Sequence, residues 1–125
     1  MRFLIVFLGS GFGGGLRYLV GAYSLQWWGP SFPFGTFTIN VVGSFAMALI
    51  AEYFSLRAHL PSTWRLFLTT GIVGGFTTFS TFALDAATLY QRGQLWHTAA
   101  YVIGSVVVSL AAFFLGLWIV RSLAT

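Results

Sequence analysis

Gly71-Ile72-Val73-Gly74-Gly75-Phe76-Thr77-Thr78-Phe79-Ser80-Thr81-Phe82 lies inside an apolar run that begins near Arg65. A helix continuing through it is weakened by Gly71, Gly74 and Gly75 just where the hydroxyls of Thr77, Thr78, Ser80 and Thr81 enter. Small residues alone could mark a helix-packing face, because they let helices approach closely. Glycines mixed with hydroxyls predict something else, a membrane helix broken near its middle. Unpaired backbone groups in hydrocarbon cost several kcal/mol each, so such a break persists only where it lines a cavity or binds something.

The rest of the composition agrees with a membrane setting. The chain has 125 residues, 58% hydrophobic and only 6% charged, a balance that a soluble domain of this size does not show on its surface. About 20 apolar residues cross a bilayer, so the length allows about four helical spans and little outside them. The expected fold is an all-α membrane protein, one four-helix transmembrane domain over 1–125, with spans near 3–23, 35–56, 65–90 and 97–120. The net charge of +4 comes wholly from scattered arginines, a pattern for setting membrane orientation and not for binding nucleic acid. With no cysteine there is no disulfide, thiolate metal site or cysteine nucleophile. Met1 to Leu8 resembles a short signal peptide, but no small-residue cleavage site follows and the apolar run continues, so it reads as the start of a mature span.

The first span contains Gly9-Ser10-Gly11-Phe12-Gly13-Gly14, a formal match to the dinucleotide fingerprint. That fingerprint needs a βαβ unit and an acid about 20 residues on, whereas the first acid here is Glu52. Packing explains the glycines better, with Gly9 and Gly13 on one small-residue face and Gly11 and Gly15 on another. Arg17, inside the same span, is either an interfacial anchor that snorkels to the surface or an arginine that draws anions into a polar vestibule.

Trp27 to Pro33 reads as a turn at the bilayer surface. In the second span Thr36, Asn40 and Ser44 recur every four residues and share a face. Asn40 needs partners at that depth, as interhelical glue or as a donor in a polar pathway. Glu52, near the span's end, is expected to be solvated, and His59 to be exposed, since no second ligand stands at metal spacing. In the third span Phe79 and Phe82 share a face with Asp85 one turn on; they face lipid, pack in a core or border a polar path, and the interleaved hydroxyls favour the last. Tyr101, Ser105 and Ser109 form an aligned hydroxyl track in the fourth span. No catalytic set can be assembled, for G-x-S-x-G and H-E-x-x-H are absent and there are only two acids, so an enzyme is excluded.

Taken together, Gly14-Gly15-Leu16-Arg17-Tyr18, Pro33-Phe34-Gly35-Thr36, Asn40, the segment Gly74 to Phe82 and the fourth-span track resemble the Fluc/CrcB family of fluoride channels over nearly the whole chain. The resemblance implies passive fluoride export across the cytoplasmic membrane by an antiparallel homodimer with two pores. It implies a fluoride pathway of Phe79 and Phe82 supported by Asn40, with Thr36, Ser80, Thr81, Tyr101, Ser105 and Ser109 along it and Arg17 in the vestibule. It further implies that the backbone carbonyls of Gly74 and Thr77 hold a central structural sodium ion. One feature speaks against insertion in both orientations: Arg2, Arg57, Arg65 and Arg121 fall on the terminal side and Arg92, with Arg17, on the other. The rival readings are a small dimeric four-span multidrug and cation exporter, which needs a first-span acid that this chain replaces with Arg17, and a purely structural membrane subunit.

Overall fold

The computed structural model describes residues 1–124. Among these residues four helical stretches are long and apolar enough to cross a membrane: α1 (Arg2–Trp28), α2 (Phe34–Leu56), a composite third span (Ser62–Gln91) and α6 (Leu95–Ala124). The third span comprises α3 (Ser62–Leu66), a π-helical stretch (Phe67–Val73), α4 (Gly74–Phe76) and α5 (Phe79–Gln91). The all-helical architecture with a broken third helix is as the sequence predicts.

The spans run longer than expected, and the local reasons are visible. α1 continues through Trp27 and Trp28 and stops where Gly29 takes φ 75°, a left-handed conformation that glycine adopts without steric cost. The surface turn is therefore Gly29 to Pro33. Pro33 precedes α2 and Pro61 precedes α3, where a missing amide costs a helix nothing.

The break falls near the middle of the third span and inside the expected stretch, at its threonines. The glycines stay helical, and the chain leaves the helix at the two threonines, Thr77 (φ −81°, ψ 159°) and Thr78 (φ −152°, ψ 125°). The glycines serve close packing instead. A Cβ on Gly9 would lie 2.9 Å from Gly71 Cα, and one on Gly75 would meet the Ser10 carbonyl oxygen at 2.5 Å. One on Gly13 would overlap the Ile72 carbonyl. The face carrying Gly9 and Gly13 thus locks α1 onto the first half of the third span. The companion face does not pack within this chain, since Gly11 and Gly15 have nothing near them.

α2 lies along α6, where Gly116 admits the fully buried Ala48. Their ends on the terminal side are joined by an ion pair, Arg121 Nη2 to Glu52 Oε2 at 3.2 Å. Glu52 is therefore paired and only partly solvated, its side chain 14% exposed. His59 is exposed in the loop, as expected.

These contacts separate two kinds of glycine. Gly13→Ala forces a methyl into backbone that cannot yield, at a cost of about 1–3 kcal/mol, and should lower the thermal midpoint of the detergent-purified protein. Gly11→Ala should leave that midpoint unchanged or raise it, as alanine favours helix. Equal loss in both variants would contradict the packing of α1 described here.

Candidate functional site

The site is built on the two threonines that interrupt the third span. A chain that leaves helical geometry inside a bilayer must find partners for its amides and carbonyls, and here a single side chain from α2 supplies two. Asn40 Oδ1 accepts from Thr78 N at 2.9 Å, and Asn40 Nδ2 donates to Thr78 O at 3.0 Å. The carboxamide thus pairs with extended backbone as a neighbouring strand would. One Nδ2 hydrogen remains free of that pair.

The next element starts on the same residue. Thr78 is the N-cap of α5, its Oγ1 accepting from Thr81 N at 3.2 Å and donating to Thr81 Oγ1 at 3.2 Å. A threonine cap satisfies one of the amides that a helix start leaves without a partner. The Ser80 hydroxyl lies 3.4 Å from the same Oγ1.

These bonds redirect the carbonyls on the other side of the break. In a continuous helix Thr78 N would bond to Gly74 O and Thr81 N to Thr77 O. Asn40 has taken the first amide and the Thr78 hydroxyl the second. The Gly74 and Thr77 carbonyls are therefore deprived of their helical donors. A third carbonyl, that of Gly75, accepts from Arg17 Nε at 3.3 Å. Arg17 is half-buried and reaches across from α1, so its side chain turns onto the break.

Two cavities border the break, and a third adjoins one of them at Thr36. The first, about 670 Å³, is a groove between α2, the third span and α6 that gathers Asn40, Ser44, Gly74, Thr77, Thr78, Phe79, Phe82, Ser105 and Ser109. A second, about 630 Å³, collects Arg17, Thr36, Thr78 and Thr81. A third, about 250 Å³, lies under the Gly29 to Pro33 turn and includes Thr36, Asp85 and Arg92. Thr78 borders the first two and Thr36 the last two. Ser80 is exposed and lines none of the three.

Several hydroxyls in the four spans have partners in their own helix, whereas the buried ones of Ser24, Ser105 and Ser109 have no protein partner among the described residues. Those of Thr69, Thr77, Thr88 and Thr98 fold back onto the carbonyl four residues earlier, at 2.7 to 3.1 Å, as hydroxyls in membrane helices commonly do. Those of Ser105 and Ser109 are buried and have no such bond or any other protein partner among the described residues. Both line the 670 Å³ groove. Tyr101, the remaining member of the track, is fully buried instead, and its hydroxyl donates to Asp85 Oδ2 at 3.2 Å.

The aromatic rings form a continuous row. Phe79 and Phe82 stand 5.5 Å apart between centroids at 50°, Phe82 and Tyr101 5.2 Å apart, and Tyr101 meets Phe32 edge-on at 5.6 Å. Phe79 is 79% exposed in the single chain, whereas Phe82 is half-buried. Among the described residues no group of three His, Cys, Asp or Glu could hold a metal.

The sequence offered no role for Thr78, although a threonine immediately before a helical pattern is a start signal. Its backbone partnership with Asn40, 38 residues away, has no sequence signature. The Asp85–Tyr101 pair was likewise not anticipated.

The fold and site define a four-span helical membrane protein whose third span is interrupted and held open by a side chain of the second. Residues 4–117 match the family described as "CrcB-like protein, Camphor Resistance (CrcB)", and the chain belongs to that family. It is 50% identical over 123 residues to a protein of Granulibacter bethesdensis named fluoride-specific ion channel FluC, covering 98% of this chain and 97% of that one. It is 49% identical to fluoride-specific ion channel FluC 2 of Nitrobacter hamburgensis, covering 98% and 99%. It is 52% identical to a protein of Methylobacterium sp. with the first of these names, covering 94% of each. These relatives are named as channels and not as enzymes.

Asn40→Ala leaves the Thr78 amide and carbonyl unpaired in the membrane. A cost of about 2 kcal/mol or more is expected, from about 1–3 kcal/mol for each buried group left unsatisfied. The thermal midpoint in detergent should fall clearly. A midpoint unchanged in Asn40→Ala would mean that the pair does not hold the break.

Proposed function

We propose that this chain is the subunit of a fluoride channel of the inner membrane, one that lets fluoride leave the cell passively. The single observation that carries this reading is the pair of unpaired hydroxyls, Ser105 and Ser109, facing the same groove as Phe79 and Phe82. The names of the relatives support the choice of anion.

The chemistry follows from the donor set. Fluoride is small and strongly hydrated, so a path must replace its water with donors that hold it only moderately, since an ion bound too well cannot leave. Ser105, Ser109 and the remaining Asn40 Nδ2 hydrogen supply donors in the groove. The Phe79 and Phe82 rings contribute weakly positive edges between them. No lysine is present in the chain to trap the anion. Thr36, Thr81 and Arg17 border the adjoining cavity, where a guanidinium raises the local anion concentration. Tyr101, held by Asp85, continues the aromatic row beyond Phe82, and Ser80 is exposed beside the break.

A polar groove open at membrane depth is unfavourable against lipid. A second, antiparallel copy of this chain laid over it covers the groove, and Phe79 with it. The Gly74 and Thr77 carbonyls fit a hard monovalent cation, because they are backbone oxygens whose helical donors are otherwise engaged. Two copies would supply four such oxygens to a central sodium ion, whose charge favours an anion path nearby. The excess of arginine on the terminal side makes insertion in both orientations the most demanding part of this reading.

The test is fluoride efflux from liposomes, read with a fluoride electrode. Passive release is expected without ATP or a proton gradient, with poor passage of chloride. Efflux should fall at least tenfold in Phe79→Leu and Phe82→Leu while both variants purify as the wild type does, since leucine keeps apolar volume but has no ring edge. Proton-coupled transport of a hydrophobic cation without fluoride leak would instead favour an exporter, and full efflux in both variants would reduce the rings to packing.

A further inference from the structure

We infer that Arg17 is a positioning residue for the cation site: by holding the Gly75 carbonyl, it fixes the end of the half-helix whose neighbouring carbonyls, Gly74 and Thr77, receive sodium. The inference rests on the sodium reading above and adds to Arg17 a role distinct from attracting anions.

Three consecutive facts about the break carry it. Gly75 is the penultimate residue of α4, and the amide four residues on, that of Phe79, opens α5 beyond the extended Thr77–Thr78 pair. Its carbonyl is thus one of the orphan acceptors at a helix end. Arg17 Nε fills that vacancy at 3.3 Å. The residue before Gly75 and the second residue after it carry the two carbonyls that lack their usual donors, so a rotation of the peptide at Gly75 swings both.

The bond also spans elements. Arg17 is on α1, which is locked to the same half-helix through Gly9 and Gly13, while Asn40 of α2 grips the other side of the break at Thr78. Each strand of the interruption is therefore anchored to a different neighbouring helix. No acidic side chain competes for Arg17 among the described residues; the one ion pair found there is Glu52–Arg121. A guanidinium near a helix C-terminus is favourable in itself. Its planar fork can hold a carbonyl through Nε while its terminal nitrogens face the cavity with Thr36 and Thr81.

Two roles for one arginine make different demands on two ligands. If Arg17 only concentrates anions, its loss changes the fluoride dependence of efflux and not the protein's affinity for sodium. If Arg17 only repels a nearby cation, its loss tightens sodium binding. If it positions carbonyls, its loss weakens sodium binding.

The experiment measures the sodium concentration at half-maximal thermal stabilisation of the detergent-purified full chain, with N-methylglucamine replacing sodium, for wild type, Arg17→Gln and Arg17→Lys. Sodium-dependent fluoride efflux from liposomes is read in parallel. At least a tenfold rise in the sodium midpoint is expected for Arg17→Gln. A rise in the same direction is expected for Arg17→Lys, which keeps the positive charge but lacks the Nε–H. A wild-type or lower sodium midpoint in both variants overturns the inference and leaves the cation reading intact. A wild type that gains no stability from sodium overturns the cation reading, and this inference with it.

Discussion

A single carboxamide holds this fold in its working form. Asn40 satisfies both backbone groups of Thr78, and without it the third span would leave an amide and a carbonyl unpaired in hydrocarbon, at about 1–3 kcal/mol each. The alternative for such a chain is to close the helix by returning Thr78 N to Gly74 O. The Asn40 pair is what makes the interruption the better solution, and everything around it follows. The Thr78 hydroxyl becomes free to start α5, the Gly74 and Thr77 carbonyls lose their helical donors, and Phe79 emerges on the outer side of a polar groove.

The groove then distinguishes polar groups that stabilise from polar groups that remain available. Several hydroxyls within the spans bond back to their own helix, and that of Thr78 caps the start of the next. Ser105 and Ser109 do neither. Leaving hydroxyls without partners in a buried setting lowers stability, and sites that do so commonly serve a ligand. The same distinction applies to the aromatic side chains: Tyr101 is fully buried with its hydroxyl on Asp85, while Phe79 is mostly uncovered in the single chain.

The fold class was legible because hydropathy is a sum over many residues. Four apolar runs in 125 residues leave few alternatives, and glycines beside threonines signalled the interruption. Its position was less legible. Glycine is the weaker helix former, yet Gly71 and Gly75 remain helical because α1 packs against them too closely for any side chain, and the break passes to Thr77 and Thr78, where Asn40 provides partners. Tertiary packing here overrides propensity. Glu52 shows the same limit: its distance from Arg121 is 69 residues in sequence and 3.2 Å in space, so nothing local could reveal that it is paired. Candidate site residues were found by period, which placed Ser105 and Ser109 on one face. Which of the aligned hydroxyls would be unpaired depended on contacts between helices that period does not encode.

The pairing of Asn40 with Thr78 is open to direct measurement in lipid. Solid-state NMR on protein carrying ¹³C at the Asn40 side-chain carbonyl and ¹⁵N at the Thr78 amide reports their separation through dipolar coupling. The account predicts a coupling as strong as across a direct hydrogen bond, together with extended, non-helical carbon shifts at Thr77 and Thr78. Helical shifts through Thr77 and Thr78, with no coupling from Asn40, would contradict it.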